Sequence, residues 1–196
     1  MDFPNIQPDQ YDVGIDTNTE TFESQLNGAT QYGQLPGDRW EITATWSNRG
    51  GAEARQLRGF VYGLRGPATL VSVQPFDIDQ QGTMIGNGVV DGSGQAGTTL
   101  NTTGWAANQS ALFEPGDYFE AGGQLKVITE TICSDANGDA TLVFAPPLRN
   151  TPADASPIEV NDPRMDARLT GDGMTRAQVS SPLIYAMTLT FREDVT

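Results

Sequence analysis

Polar and apolar residues alternate without a break through Arg39-Trp40-Glu41-Ile42-Thr43-Ala44-Thr45-Trp46. Side chains of a strand point to its two faces in turn, so Trp40, Ile42, Ala44 and Trp46 form one apolar face of a half-buried strand. The same period returns near the end of the chain, over residues 183–191, where Leu183, Tyr185, Met187, Leu189 and Phe191 share a face. Each of these strands lacks another long apolar mate, and pairing them with each other is the simplest arrangement. Between them the period changes once. Leu57, Phe60, Val61 and Leu64 stand at i, i+3, i+4 and i+7, which predicts a helix over residues 52–65. Gly66 is placed to cap it and Pro67 to stop it. An apolar run at residues 69–73 reads as a further strand.

Later in the chain the strand signals crowd together. Tyr118-Phe119-Glu120-Ala121 faces Gln124-Leu125-Lys126-Val127-Ile128 across Gly122-Gly123, a natural two-residue hairpin turn. A second hairpin is expected where residues 130–134 face residues 140–144 across an Asn137-Gly138 turn, with Pro146-Pro147 ending its second strand. Residues 82–104 are rich in Gly, Thr and Asn, and Gly86-Asn87-Gly88 and Gly92-Ser93-Gly94 read as flexible turns. The polar first stretch of about 35 residues reads as an extended arm or long hairpin that needs neighbours to be stable. If the strands at 39–46 and 183–191 pair, the chain divides into residues 1–77 with 179–196, and an inserted region over residues 78–178.

Composition supports a mainly β fold. The 196 residues include 22 glycines and 12 prolines and are 37% apolar, a mix suited to short strands and tight turns. Net charge is −14, with one lysine (Lys126) and no histidine. Seven carboxylates precede the first basic residue, Arg39. Nucleic-acid affinity depends on Lys and Arg neutralising phosphates, so this balance argues against gripping DNA or RNA. No run of about 18 apolar residues exists to span a membrane. The N-terminus lacks the basic-then-apolar pattern of a signal peptide, so the chain is expected to be made and kept in a cytoplasm.

Without histidine there is no Ser-His-Asp triad, no Cys-His pair and no His-based metal site. Cys133 is the single cysteine, so no intramolecular disulfide forms, and it is expected to be a small buried apolar residue. Asp135-Ala136-Asn137-Gly138-Asp139 imitates the start of a calcium loop, but position six is Ala140 and position twelve is Pro146, so a hairpin turn is expected instead. Sequon matches at Asn101 and Asn108 mean little without a signal peptide. Trp105 is the candidate exposed aromatic for stacking on a sugar, although packing beneath a loop is the commoner fate. Arg55 and Arg58 lie on the outer face of the helix, suited to an acidic neighbour. No catalytic, cofactor-binding or metal-binding residue is assigned, and the chain is not expected to be an enzyme.

Several stretches resemble a known family. Val90, Gly92, Gln95, Gly97, Leu100, Gly104 and Trp105 match a V-x-G-x-x-Q-x-G-x-x-L-x-x-x-G-W pattern, followed by GDYFEAGG at residues 116–123 and PPLR at residues 146–149. Together with the strand, helix and strand of residues 40–73, they are similar to distal tail proteins of siphophages. That resemblance implies a tail-tube-like β-sandwich with one flanking helix, carrying an inserted β-barrel of oligonucleotide/oligosaccharide-binding (OB) type. It implies a virion protein in a homohexameric ring that joins tail tube protein to tail tip or hub protein. DNA would pass through the lumen without specific binding, and no membrane or cofactor is involved. The acidic N-terminal arm falls outside the family's pattern. Other readings of the residues are a carbohydrate-binding or adhesin module, another tail ring protein (tube or terminator), and an enzyme using two carboxylates.

Overall fold

The computed structural model describes residues 3–4, 6–34, 37–170, 178–180 and 184–194, with backbone alone at 34, 178–180, 184 and 185. The expected core position Leu183 lies outside these residues, and Tyr185 is described by its backbone. The fold is mainly β, with one α-helix among the described residues. In chain order the first elements are β1 (Gln10–Asp16), β2 (Thr19–Glu23), β3 (Thr30–Gln34), β4 (Arg39–Arg49), α1 (Gly51–Leu64) and β5 (Val71–Val73). Then come β6 (Gly86–Val90), β7 (Gly97–Trp105), β8 (Tyr118–Ala121), β9 (Gln124–Ile128), β10 (Ala140–Leu148) and β11 (Ile158–Glu159). The last are β12 (Met165–Leu169), β13 (Gln178–Ser180) and β14 (Ile184–Glu193).

One sheet runs in the order β1-β4-β14-β12-β5, with β13 also paired to β14. The expected union of the two ends of the chain is present: Met187, Leu189 and Phe191 of β14 lie opposite Trp46, Ala44 and Ile42 of β4. Their apolar faces are buried together with Leu57, Phe60, Val61 and Leu64 of α1. Phe3 stacks on Trp46 at 5.7 Å between ring centroids, closing the core from the N-terminal segment. The helix ends as Arg65 takes the left-handed conformation at φ 54, one residue before the expected glycine cap, and Gly66 follows at φ 67. On the opposite face the sheet is polar. Thr43 pairs with Thr190 at 2.9 Å and Thr45 with Thr188 at 3.0 Å, and Arg192 bridges Asp16 and Glu41.

The second sheet has the order β11-β8-β9-β10-β7-β6. A bridge between Val89 and Pro157, and the hydrogen bond from Val90 N–H to Ser156 O, bring its two ends together. The sheet is therefore barrel-like and nearly closed around Leu100, Leu112, Phe113, Phe119, Leu142 and Phe144. Residues 118–128 form the expected hairpin, with Ala121 opposite Gln124. Both turn residues have positive φ, 59° at Gly122 and 77° at Gly123, as a type I′ turn requires.

Four expectations are corrected. The hairpin of 130–134 with 140–144 does not form, because β10 instead pairs with β7 from Ala140 to Val143 and with β9 at Phe144 and Ala145. Residues 130–134 contribute a single bridge, Ile132 to Phe113. Pro146-Pro147 does not end the strand either. The two prolines sit where the β10–β7 register shifts between Val143 and Leu148, a place that needs no ladder N–H. Gly86-Asn87-Gly88 is not a flexible turn but part of β6, with the indole of Trp105 lying directly on Gly88. Finally, Met165–Leu169, read above as part of the insertion, is β12 of the first sheet, paired with both β5 and β14.

Candidate functional site

The motif residues between 90 and 123 occupy structural positions around the barrel-like sheet. Val90, Leu100 and Trp105 are buried in its core. Gly92, in the loop between β6 and β7, and Gly97, the first residue of β7, adopt φ of 93° and 89°. Gln95 stitches that loop: its Oε1 accepts from Asn101 N–H at 2.6 Å, and its Nε2 donates to Asp91 O at 2.9 Å. Gly104, at φ 88, leaves no room for a Cβ, which would meet Asn87 O at 2.6 Å.

Asp117 is the polar centre of the second motif. Its buried carboxylate accepts from the N–H groups of Gln81 at 2.7 Å, Gly82 at 2.9 Å and Glu114 at 2.7 Å. Gln80 beside it ties β8 to the segment after β11, accepting from Tyr118 N–H and donating to Tyr118 O and Val160 O. Sequence reasoning missed Gln80, Gln95 and Asp117 as organisers. Their signal was a polar residue next to a Gly-rich turn, which any exposed loop also shows.

The candidate binding residues fare differently. Trp105 is buried, meets Phe113 edge-on at 5.3 Å, and donates from Nε1 to Thr102 Oγ1, so its ring face is not open to a sugar. Cys133 is exposed rather than buried, because the strand expected around it is absent; its Sγ donates to Ser110 O at 3.1 Å. It borders a cleft of ≈ 490 Å³ with Asp91, Asp135 and Asp139. Asp135 spends its carboxylate on its own turn, accepting from Asn137 N–H at 2.7 Å and Asp139 N–H at 3.0 Å. Those amides, the Asp139 one first, hold its carboxyl below the usual carboxylate range. Among the described residues no group of three Cys, Asp or Glu side chains is set to hold a metal ion. A second cleft of ≈ 490 Å³ lies between Phe3, Phe76, Ile78 and Arg164.

A buried polar seam fixes the barrel-like sheet to the first sheet. Trp40 Nε1 donates to Leu125 O at 2.9 Å, and Trp40 N–H donates to Glu193 Oε2 at 3.1 Å. Arg149 reaches the same Glu193 at 3.4 Å. Lys126 is fully buried here, with Nζ donating to Pro147 O at 3.2 Å. Burial pushes its ammonium down to about 8, against the pull of the Glu193 carboxylate. Tyr118 donates to Asp77 at 3.2 Å, and burial followed by that carboxylate raises the phenol's titration.

Two surfaces stand apart from this packed frame. β2 and β3 form a separate two-stranded hairpin that carries exposed Phe22, Leu26 and Tyr32. The outer face of α1 carries exposed Arg55 and Tyr62 and half-buried Arg58. Among the described residues no helix is long and apolar enough to cross a membrane. No family model and no curated protein matches the chain.

Proposed function

We propose that this protein is a structural ring subunit of a phage tail, at the distal end where tube meets tip. The observation that carries this reading is the nesting of the two sheets. A barrel-like sheet built from residues 86–159 interrupts a sheet made from both ends of the chain and backed by one helix. That plan suits a ring-forming β-sandwich domain with an outer barrel of OB type. The matched motif residues support it, since Gly92, Gln95, Gly97 and Asp117 act as turn and loop organisers rather than as a reactive cluster.

A passage for DNA asks for a wall that does not grip phosphates. The polar face of the first sheet meets that need: a threonine ladder, with Arg192 held by Asp16 and Glu41. The net charge of −14, repeated around a ring, adds repulsion at long range. The adhesin reading loses its main residue with the burial of Trp105. Negative-stain microscopy with sedimentation analysis of the purified chain tests the proposal. Hollow rings of several subunits are expected; a strict monomer at high concentration overturns it.

A further inference from the structure

The β2–β3 hairpin is well formed, yet among the described residues its large apolar side chains stay exposed. Thr19 to Glu23 pairs in full with Thr30 to Gln34, and the loop is closed by Ser24 N–H to Ala29 O at 2.8 Å and Ala29 N–H to Asn27 Oδ1 at 3.1 Å. Cross-strand register puts Glu20 and Phe22 on one face, and Thr21, Glu23 and Tyr32 on the other. Phe22 is 60% exposed, Tyr32 74% and Leu26, at the tip, 99%. An isolated two-stranded hairpin is marginal in water, and this one has an unburied aromatic on each face. Its charge is purely acidic: residues 17–34 contain Glu20 and Glu23 and no basic residue.

The complementary surface is on the same chain. Arg55, Arg58 and Tyr62 follow one another at helical spacing along the outer side of α1, with Gly59 and Gly63 leaving that side flat, and Arg65 lies just past the end of the helix in its left-handed cap. Tyr62 is 58% exposed. Arg55 and Arg65 take part in none of the ion pairs among the described residues. On an acidic molecule this is a local reversal of sign. The two surfaces also lie at different sides of the first sheet. The hairpin leaves beside the edge strand β1, while the segment just after α1 is held over β12, where Arg168 donates to Pro67 O and Ala68 O at 3.1 Å. From β1 to β12 is three strand spacings, ~14 Å.

The geometry points to a head-to-tail contact in which the β2–β3 hairpin of one copy lies on the outer face of α1 of the next. Glu23 and Tyr32, which share the face turned to the helix, meet Arg55 and Tyr62, while Glu20 on the far face adds to the charge match with Arg55 and Arg65 at longer range. Two different patches that join in this way make a heterologous interface, which propagates from copy to copy and gives a ring where the rotation between copies closes. The contact rests on the ring reading above and gives it a specific surface.

The test uses the full chain and three variants, compared by sedimentation velocity across a concentration series, with circular dichroism confirming the fold. Reversing the hairpin (Glu20→Arg with Glu23→Arg) or the helix (Arg55→Glu with Arg65→Glu) is expected to weaken assembly roughly tenfold or more. Combining both reversals in one chain is expected to restore assembly to within about threefold of the parent, since the charges again match. A photo-crosslinker placed at Tyr32 is expected to join neighbouring copies through peptides of α1. If the parent assembles but neither reversal weakens it, or the crosslink lands elsewhere or on another protein, the hairpin-to-helix contact is wrong while the ring stands. If the parent is monomeric at every concentration, the ring reading falls and takes the contact with it.

Discussion

Lys126 combines a buried charge with a place at the seam of the two sheets, and its titration makes a testable difference to stability. Its ordinary value is 10.5 and its folded value about 8. Between those values the unfolded chain binds a proton that the folded chain has released, so stability rises as pH rises through this window, by up to about 3 kcal/mol. Tyr11 and Tyr118 act in the opposite sense. Burial, then the Asp77 carboxylate, raises both phenols above their ordinary 10.0. Above pH 10 the folded chain therefore keeps protons that the unfolded chain loses, and stability falls. Urea midpoints measured from pH 7.5 to 11 are expected to climb and then drop. Lys126→Met is expected to abolish the climb and keep the drop; an unchanged profile would refute the role given to Lys126. Asp117 provides a second residue-scale test. Asp117→Ala strands three backbone N–H groups in a part-buried loop, and a loss of about 3 kcal/mol in denaturant unfolding is expected.

At the scale of elements, the sequence announced what depends on period and local turn chemistry. The alternation of β4, the apolar stripe of α1 and the Gly122-Gly123 hairpin all satisfy strong local rules, and neighbours in space only reinforced them. What escaped notice depends on non-local contact. Gly86 and Gly88 look like loop residues because nothing nearby in sequence explains them; the explanation is the Trp105 indole, which would lie 2.0 Å from a Cβ at Gly88. β12 was hidden for a related reason. Its five residues, Met165-Asp166-Ala167-Arg168-Leu169, are short and half polar, and become a strand by fitting between β5 and β14. The tight fit at Gly88 leads to a prediction for this element pair. Gly88→Ala drives a methyl into a ring that is itself hemmed in by Phe113, and overpacking of this kind costs about 1–3 kcal/mol. A lowered Tm with an altered near-ultraviolet dichroism of tryptophan is expected, and a parent-like signal would count against close packing there.

For the whole molecule the question is whether the two sheets behave as one unit. Their cores are distinct clusters, yet Tyr118 and Leu125 of the barrel-like sheet belong to the cluster centred on the first sheet, and Trp40 is bonded to Leu125 O. The chain passes between the sheets twice, before β6 and after β11, so neither end of the insertion is free. Shared apolar packing and a buried polar seam together favour a single cooperative transition. Lys126 offers a direct probe, being the one lysine in the sequence and fully buried at that seam. In the folded protein an amine-directed reagent is expected to leave Lys126 untouched and to modify the α-amino terminus. Labelled across a urea series at pH 8.5, Lys126 should become reactive along the same curve as the loss of far-ultraviolet dichroism. Reactivity that appears well before that transition would mean that the sheets part first, with the barrel-like sheet opening as a lobe of its own. Coincidence of the two curves would mean that the seam opens only as the protein unfolds, which is the rigidity that the proposed ring arrangement requires of the joined sheets.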